Sequence, residues 1–154
     1  MTVSTSRYAQ KAGGADFADE SGDVAEATLR KAGHIVSARS LISDDGAMIE
    51  GEARQFLSGA DDVLLFTGGT GVSSRDITIE TVKPLMEKEL PGFGELFRRV
   101  SYDSVGAAAM LSRATAGVAN GKLLVCLPGS PRAVETALKA TLSEFPHAIF
   151  VARS

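Results

Sequence analysis

Residues 67–76, "TGGTGVSSRD", join three glycines, four hydroxyl side chains and a closing carboxylate at Asp76. Gly68, Gly69 and Gly71 lack a Cβ, so the backbone there can take left-handed angles and approach a ligand closely. Successive N–H groups in such a turn cradle an anion, and the N-terminus of a following helix reinforces the effect. Thr67, Thr70, Ser73 and Ser74 add hydroxyl donors suited to phosphate oxygens. A tight strand-to-helix turn with no ligand accounts for the glycines equally well. Two familiar phosphate loops are excluded. No Lys follows the glycines as a Walker A loop requires, and Ser74 stands where the third glycine of a dinucleotide fingerprint belongs.

Asp76 gives the loop its chemical direction. A carboxylate behind a phosphate cradle repels the anion unless a cation bridges them. Mg²⁺, commonly shared between one or two carboxylates and substrate phosphates, removes the conflict. The competing assignment is that Asp76 caps a helix starting near Ile77. Arg75 could pair with Asp76 or with a phosphate. Asp44 and Asp45 repeat the choice on the loop 43–46: either can cap the next helix or join Asp76 around a shared metal. In residues 127–131, "LPGSP", the N–H groups of Gly129 and Ser130 could face an anion, or the stretch could be a plain turn.

These residues need strands and helices to bring them together. Val24, Ala25, Thr28, Leu29 and Ala32 recur at helical spacing, and Gly33 can end that helix. Residues 34–42 read as a strand. Met48, Ile49, Ala53, Phe56 and Leu57 form the stripe of a second helix closed by Gly59. Residues 61–66 are a short apolar run of the kind buried on both faces of a sheet. Residues 77–90 are helical in pattern, with Pro84 kinking or restarting the helix. Short helices are expected over 91–101 and over the alanine-rich 106–114. Asn120-Gly121, between two apolar stretches, predicts a hairpin. A last helix over 131–145 starts with Pro131 in its first turn and turns Val134, Leu138, Thr141, Leu142 and Phe145 inward.

Strands alternating with helices predict an α/β three-layer sandwich, with a mostly parallel, mixed central sheet and helices on both faces. In such sheets ligands bind at the carboxyl ends of strands. The loops at 43–46, 67–76 and 127–131 qualify, and the turn after residues 2–6 is a fourth if a first strand begins there.

Composition narrows the class. The chain has 154 residues, 16 basic against 19 acidic side chains, and a formal charge of −3, without the clustered Lys and Arg of a nucleic-acid footprint. No apolar run approaches the roughly 20 residues that span a bilayer. Cys126 is the only cysteine and lies in an apolar run, so it reads as a small core residue rather than a nucleophile. His34 and His147 are far apart, which disfavours a zinc site. These features suit a cytoplasmic protein.

Four stretches together, "TGGTGVSSRDITIE", "PGFGELFR", "AMLSRATAGV" and "LPGSPRAVETAL", resemble the molybdopterin-binding MoaB/MogA family, related to the G domains of gephyrin and plant molybdenum-cofactor proteins. The resemblance covers about residues 20 to 150 and implies that 1–154 form one molybdopterin-binding domain. It implies a molybdopterin adenylyltransferase that moves AMP from Mg-ATP to the terminal phosphate of molybdopterin and releases pyrophosphate. It implies a trimer or hexamer, with product handed to a molybdenum insertase. Position by position, Asp76 matches the family's essential carboxylate after the glycine loop and Asp44 the first acid of its "PDD" or "PDE" loop, and the resemblance implies that both hold the metal. Gly68, Gly69, Thr70 and Gly71, with Thr67 before them, match the phosphate loop; Pro128, Gly129 and Ser130 match the second one. Ser101 and Ser112 match hydroxyls of the pterin pocket.

The chain departs from the family pattern in three places. Ser43 replaces a common proline. Thr5 stands where an acid is frequent, which removes a polar group near the nucleotide. The sequence begins inside the family's first strand, so either the start is misplaced or that strand is unusually short. Two other roles fit the same domain: a molybdopterin carrier or scaffold without transferase activity, and a different enzyme such as a metal-insertion domain or a nucleotide-cleaving relative.

Overall fold

The two longest apolar runs become neighbouring strands: β3 (Val63–Thr67) and β6 (Lys122–Leu127) pair in parallel, from Val63 opposite Leu123 to Thr67 opposite Leu127. The computed structural model describes residues 1–154. With β1 (Thr2–Val3), β2 (Leu41–Ile42), β4 (Lys88–Glu89) and β5 (Thr115–Ala119), these strands form one sheet in the order β2-β1-β3-β6-β5-β4. The β2-β1-β3-β6 half is parallel, and β5 and β4 are antiparallel additions. The β5–β6 hairpin turns at Asn120 and Gly121, with φ of 52° and 69°. Those angles are what a two-residue primed turn demands.

Strand alternation builds the layers. Leu123, Val125 and Leu127 face one core, with Ala25, Phe93, Phe97, Val134 and Leu138 of helices α2 (Glu20–Lys31), α5 (Pro91–Val105) and α6 (Pro131–Thr141). Leu124 and Cys126 face the other, with Ile49, Ala53, Phe56 and Val82 of α3 (Gly46–Ser58) and α4 (Thr78–Val82). The result is the expected α/β sandwich with a mixed sheet. Lys122, although buried, is satisfied: its ammonium donates to the Phe56 and Gly59 carbonyls at 2.9 and 2.5 Å, at the carboxyl end of α3.

Several elements differ from the sequence expectation. Only Leu41–Ile42 of residues 34–42 is strand, and Ile35 is 91% exposed. The neighbour β1 offers just two residues to pair with, so extended backbone before Leu41 has no ladder to join. Within residues 77–90, α4 ends at Val82, a tight turn follows at Lys83–Leu85, and Lys88–Glu89 pairs with β5. Gly106, at φ 59°, separates α5 from the alanine-rich stretch, which coils as a 3-10 helix over Gly106–Leu111. The last helical segment breaks after Thr141 and resumes as α7 (Phe145–Ala152). The helix α1 (Thr5–Ala12), which buries none of its residues, follows β1.

The short β1 is held from both sides. It pairs with β2 and β3, and the Thr2 hydroxyl donates to Asp19 at 2.8 Å. Asp19 also caps α2 through Gly22 N and pairs with Arg39 at 2.9 Å. Burial alone would raise the Asp19 carboxyl, but the Arg39 guanidinium, the Thr2 hydroxyl and the Gly22 N–H hold it below its ordinary value.

Candidate active site

The carboxyl ends of β1, β2, β3 and β6, together with the start of antiparallel β5, frame an open cleft of about 520 Å³. Its floor is the glycine loop after β3. Gly68 and Gly69 take φ of +104° and +63°, the left-handed region that disfavours a side chain. Thr78 pins the loop from the first turn of α4: its N–H donates to Gly69 O and its hydroxyl to Gly68 O, both at 2.9 Å. Gly68 N donates to Leu127 O at 2.9 Å. The second loop lies directly against the first, since a Cβ on Gly129 would sit 3.1 Å from Gly68 Cα.

This backbone leaves donors unused. The N–H groups of Gly69, Thr70 and Gly71 reach no protein acceptor, and neither do those of Gly129 and Ser130. Free N–H groups on two abutting turns form an anion-binding concavity.

Asp76 belongs to this loop, not to the helix behind it. Its Oδ2 accepts from Ser73 N at 2.9 Å, whereas α4 begins at Thr78 with Ile77 at its cap and no side-chain cap bond. The capping alternative for Asp76 is therefore replaced by loop closure. Asp45 does cap α3, accepting from Met48 N at 2.9 Å. Asp44, one residue earlier, lines the cleft. Its Oδ2 accepts from Thr5 N at 2.8 Å and from the Thr5 hydroxyl at 3.0 Å, and Asp44 N donates back to that hydroxyl at 3.2 Å. The Thr5 proton is then committed to Asp44, so the Ser43 hydroxyl, 3.0 Å away, donates to Thr5. Thr5 thus does not merely subtract a polar group, as the sequence suggests; it orients a carboxylate. The other oxygen, Asp44 Oδ1, faces the glycine loop, 2.7 Å from where a Cβ on Gly69 would stand.

Of the residues singled out in the sequence, Asp44, Asp76, Gly68, Gly69, Thr70, Gly71, Ser112, Pro128 and Gly129 line one cleft. Three do not. Thr67 is buried beneath it with its hydroxyl unpartnered. Ser130 turns its hydroxyl to Ala133 N as the cap of α6. Ser101 is buried along α5, away from the lining. Cys126 is fully buried; burial, and secondarily the charge of Glu80, pushes its thiol far up, so it supplies no nucleophile.

Sequence reasoning missed Ser4, Ser6, Arg7, Leu111 and Arg113, all of which line the cleft. The Asn-Gly hairpin held a usable clue for Arg113: it makes β5 antiparallel, which brings residues before Thr115 to the carboxyl ends of the parallel strands. Arg113 pairs with Glu80. Burial alone would raise the Glu80 carboxyl, but the guanidinium against it holds it below its usual value. Arg113 also borders a second hollow of about 260 Å³ with Glu89, Glu95, Arg98 and Thr115.

A resident Mg²⁺ fits the donor set. Asp44 and Asp76 each have one oxygen committed to the protein and one without a protein partner. No group of three His, Cys, Asp or Glu side chains converges anywhere in the chain. Two half-free carboxylates beside unused N–H groups suit an ion whose remaining ligands are water and phosphate oxygens.

Residues 1–147 match the family described as a probable molybdopterin binding domain. The chain is 41% identical over 148 residues to the probable molybdopterin adenylyltransferase of Methanocaldococcus jannaschii, which covers 96% of this chain and 88% of that protein. It is 41% identical over 140 residues to molybdenum cofactor biosynthesis protein B of Bacillus subtilis, covering 87% of this chain and 81% of that one. Among solved structures it resembles the tungsten cofactor synthesizing protein MoaB from Pyrococcus furiosus, with a TM-score of 0.85 and 39% identity over 99% of this chain and 94% of that one. No helix is long and apolar enough to cross a membrane.

Proposed function

Since the chain belongs to the family of probable molybdopterin binding domains, we propose that it is a molybdopterin adenylyltransferase of molybdenum or tungsten cofactor biosynthesis. The terminal phosphate of molybdopterin attacks the α-phosphorus of ATP. The bond from that phosphorus to the bridging oxygen breaks, and pyrophosphate leaves with the electron pair. The observation that carries this reading is the set of unused N–H groups at Gly69, Thr70, Gly71, Gly129 and Ser130, flanked by two half-free carboxylates. The name of the Methanocaldococcus relative supports it.

Phosphoryl-group chemistry of this kind needs little covalent help from protein, so positioning and charge neutralisation dominate. The free N–H groups hold the α-phosphate and accept the charge that builds on its equatorial oxygens. Thr5 fixes Asp44, and Ser73 N fixes Asp76, so both carboxylates are set before substrate arrives. Mg²⁺, when bound by Asp44 and Asp76, would supply the charge balance between those carboxylates and the phosphates. Arg113, held by Glu80, presents a fixed cation on the β5 side. Residues 1–154 act as one domain in this reading. It includes a cytoplasmic homo-oligomer, trimer or hexamer, that hands adenylylated molybdopterin to an insertase.

The test is a single turnover of purified protein with molybdopterin, ATP and Mg²⁺, with the product followed by mass. The expected result is adenylylated molybdopterin that disappears when Mg²⁺ is chelated. Tight molybdopterin binding without product would overturn the transferase assignment in favour of a carrier or scaffold.

A further inference from the structure

The cleft is lined by four charged side chains, Arg7, Asp44, Asp76 and Arg113. Three are engaged by protein: Asp44 by Thr5, Asp76 by Ser73 N, and Arg113 by Glu80. The Arg7 guanidinium has no ion pair and no hydrogen bond; only the backbone N–H of Arg7 is used, donating to the Ser4 hydroxyl at 3.4 Å. A guanidinium left free inside a ligand cleft beside two carboxylates is a donor set without its acceptor.

The sheet order says which part of a ligand it meets. Across the carboxyl ends, Asp44 follows β2, Arg7 follows β1, the glycine loop follows β3, Gly129 follows β6, and Arg113 precedes antiparallel β5. At about 4.8 Å per strand, the strand ends beside which Arg7 and Arg113 stand are roughly 14 Å apart, on opposite sides of the phosphate loop. The β5 side has the second hollow, where Ile79, Pro91 and Ala114 offer apolar walls and Glu95 a carboxylate for a heterocycle. The β1 side has one apolar lining residue, Val3, itself buried; beside it stand the hydroxyls of Ser4 and Ser6 and the charge of Arg7. Groups that are wholly polar and anionic suit that side.

We propose that Arg7 binds the β- and γ-phosphates of the nucleotide and neutralises pyrophosphate as it departs. This inference rests on the adenylyltransferase reading for its substrate and adds a nucleotide-binding residue. As the Pα–O bond breaks, the bridging oxygen gains a full charge on the leaving group, and the guanidinium stabilises it without proton transfer. Arg7 contributes more to the transition state than to ground-state ATP, because the leaving group is then most anionic.

The experiment is calorimetric titration of inorganic pyrophosphate, ATP and AMP, each with Mg²⁺, into the parent protein, Arg7→Gln and Arg7→Lys, with melting curves as a fold check. Arg7→Gln is expected to weaken pyrophosphate and ATP about tenfold or more, the loss of one charge-assisted hydrogen bond. AMP binding should stay within twofold of the parent, and Arg7→Lys should recover part of the loss. Pyrophosphate and ATP affinities unchanged in Arg7→Gln would overturn the proposal. So would equal weakening of AMP, which has no β- or γ-phosphate. Arg7-dependent pyrophosphate binding in a protein that makes no adenylylated product would keep this inference and sink the transferase reading. Normal product formation with unchanged ATP affinity in Arg7→Gln would do the reverse.

Discussion

Gly69→Ala tests whether the loop is shaped for a ligand, because one methyl group acts on three parts of the site at once. At φ +63° an alanine costs about 1–2 kcal/mol relative to glycine. Its Cβ would collide with the Thr78 hydroxyl and lie 2.7 Å from Asp44 Oδ1. Moving Thr78 gives up its 2.9 Å bond to Gly68 O, a further loss of about 1 kcal/mol. The total is about 2–3 kcal/mol, equivalent to a fall of roughly 5–10 °C in Tm for a domain of this size. Because Asp44 Oδ1 and the free N–H groups are displaced together, ATP affinity should fall at least tenfold. The matched control is Gly51→Ala. Gly51 lies exposed within α3, with normal φ and open space around its Cβ position. There the same change removes a helix-weakening glycine and should raise Tm by a few degrees, following a gain of up to about 1 kcal/mol. Thermal melts and ATP titrations of both variants decide the matter. Gly69→Ala melting within a degree of the parent and binding ATP normally would refute the idea that this backbone is fixed for phosphate.

Three further outcomes follow from the geometry. Asp76→Asn keeps an acceptor for Ser73 N, so Tm should change little, while adenylyl transfer falls by at least a hundredfold; normal turnover would leave Asp76 with loop closure alone. Thr5→Val removes the hydroxyl that holds Asp44 and should raise the Mg²⁺ concentration for half-maximal ATP binding several-fold, whereas Thr5→Ser restores it; equal behaviour of the two variants would show that the Thr5 N–H suffices. Asp19 has a depressed carboxyl, so its stabilising effect is complete above the unfolded value of 3.8 and fades as pH falls through the lower folded value. Asp19→Asn should therefore flatten the acid limb of a Tm–pH curve and lower Tm at neutral pH; an acid limb identical to the parent's would place that titration elsewhere.

The parts of this molecule legible in sequence are those fixed by local pattern. The runs at Val63–Phe66 and Leu123–Leu127, the Asn120-Gly121 hairpin and the stripes of α2, α3 and α6 were all readable, because periodicity and turn chemistry act within a few residues. Lys88–Glu89 was not, since two residues become a strand only because β5 presents its edge to them. Residues 34–40 failed the opposite way: Ile35 and Val36 have strand-forming side chains, but the stretch faces a two-residue neighbour.

The same division runs through the cleft. Glycines and carboxylates on loops pointed to strand ends that meet in one cleft, yet Asp44 and Asp45 are identical side chains in adjacent positions. What separates them lies 39 residues away in sequence, in the Thr5 N–H and hydroxyl that turn one oxygen of Asp44 outward while Asp45 closes its own helix. Thr5, in turn, reaches Asp44 only because β1 and β2 are parallel neighbours whose carboxyl ends coincide. An acid at position 5 would set like charge against Asp44 unless a proton or cation intervened, whereas threonine offers one donor from the backbone and one from the side chain. The replacement therefore orients Asp44 using only neutral groups, and leaves the positive charge of Arg7, two residues on, without a protein partner.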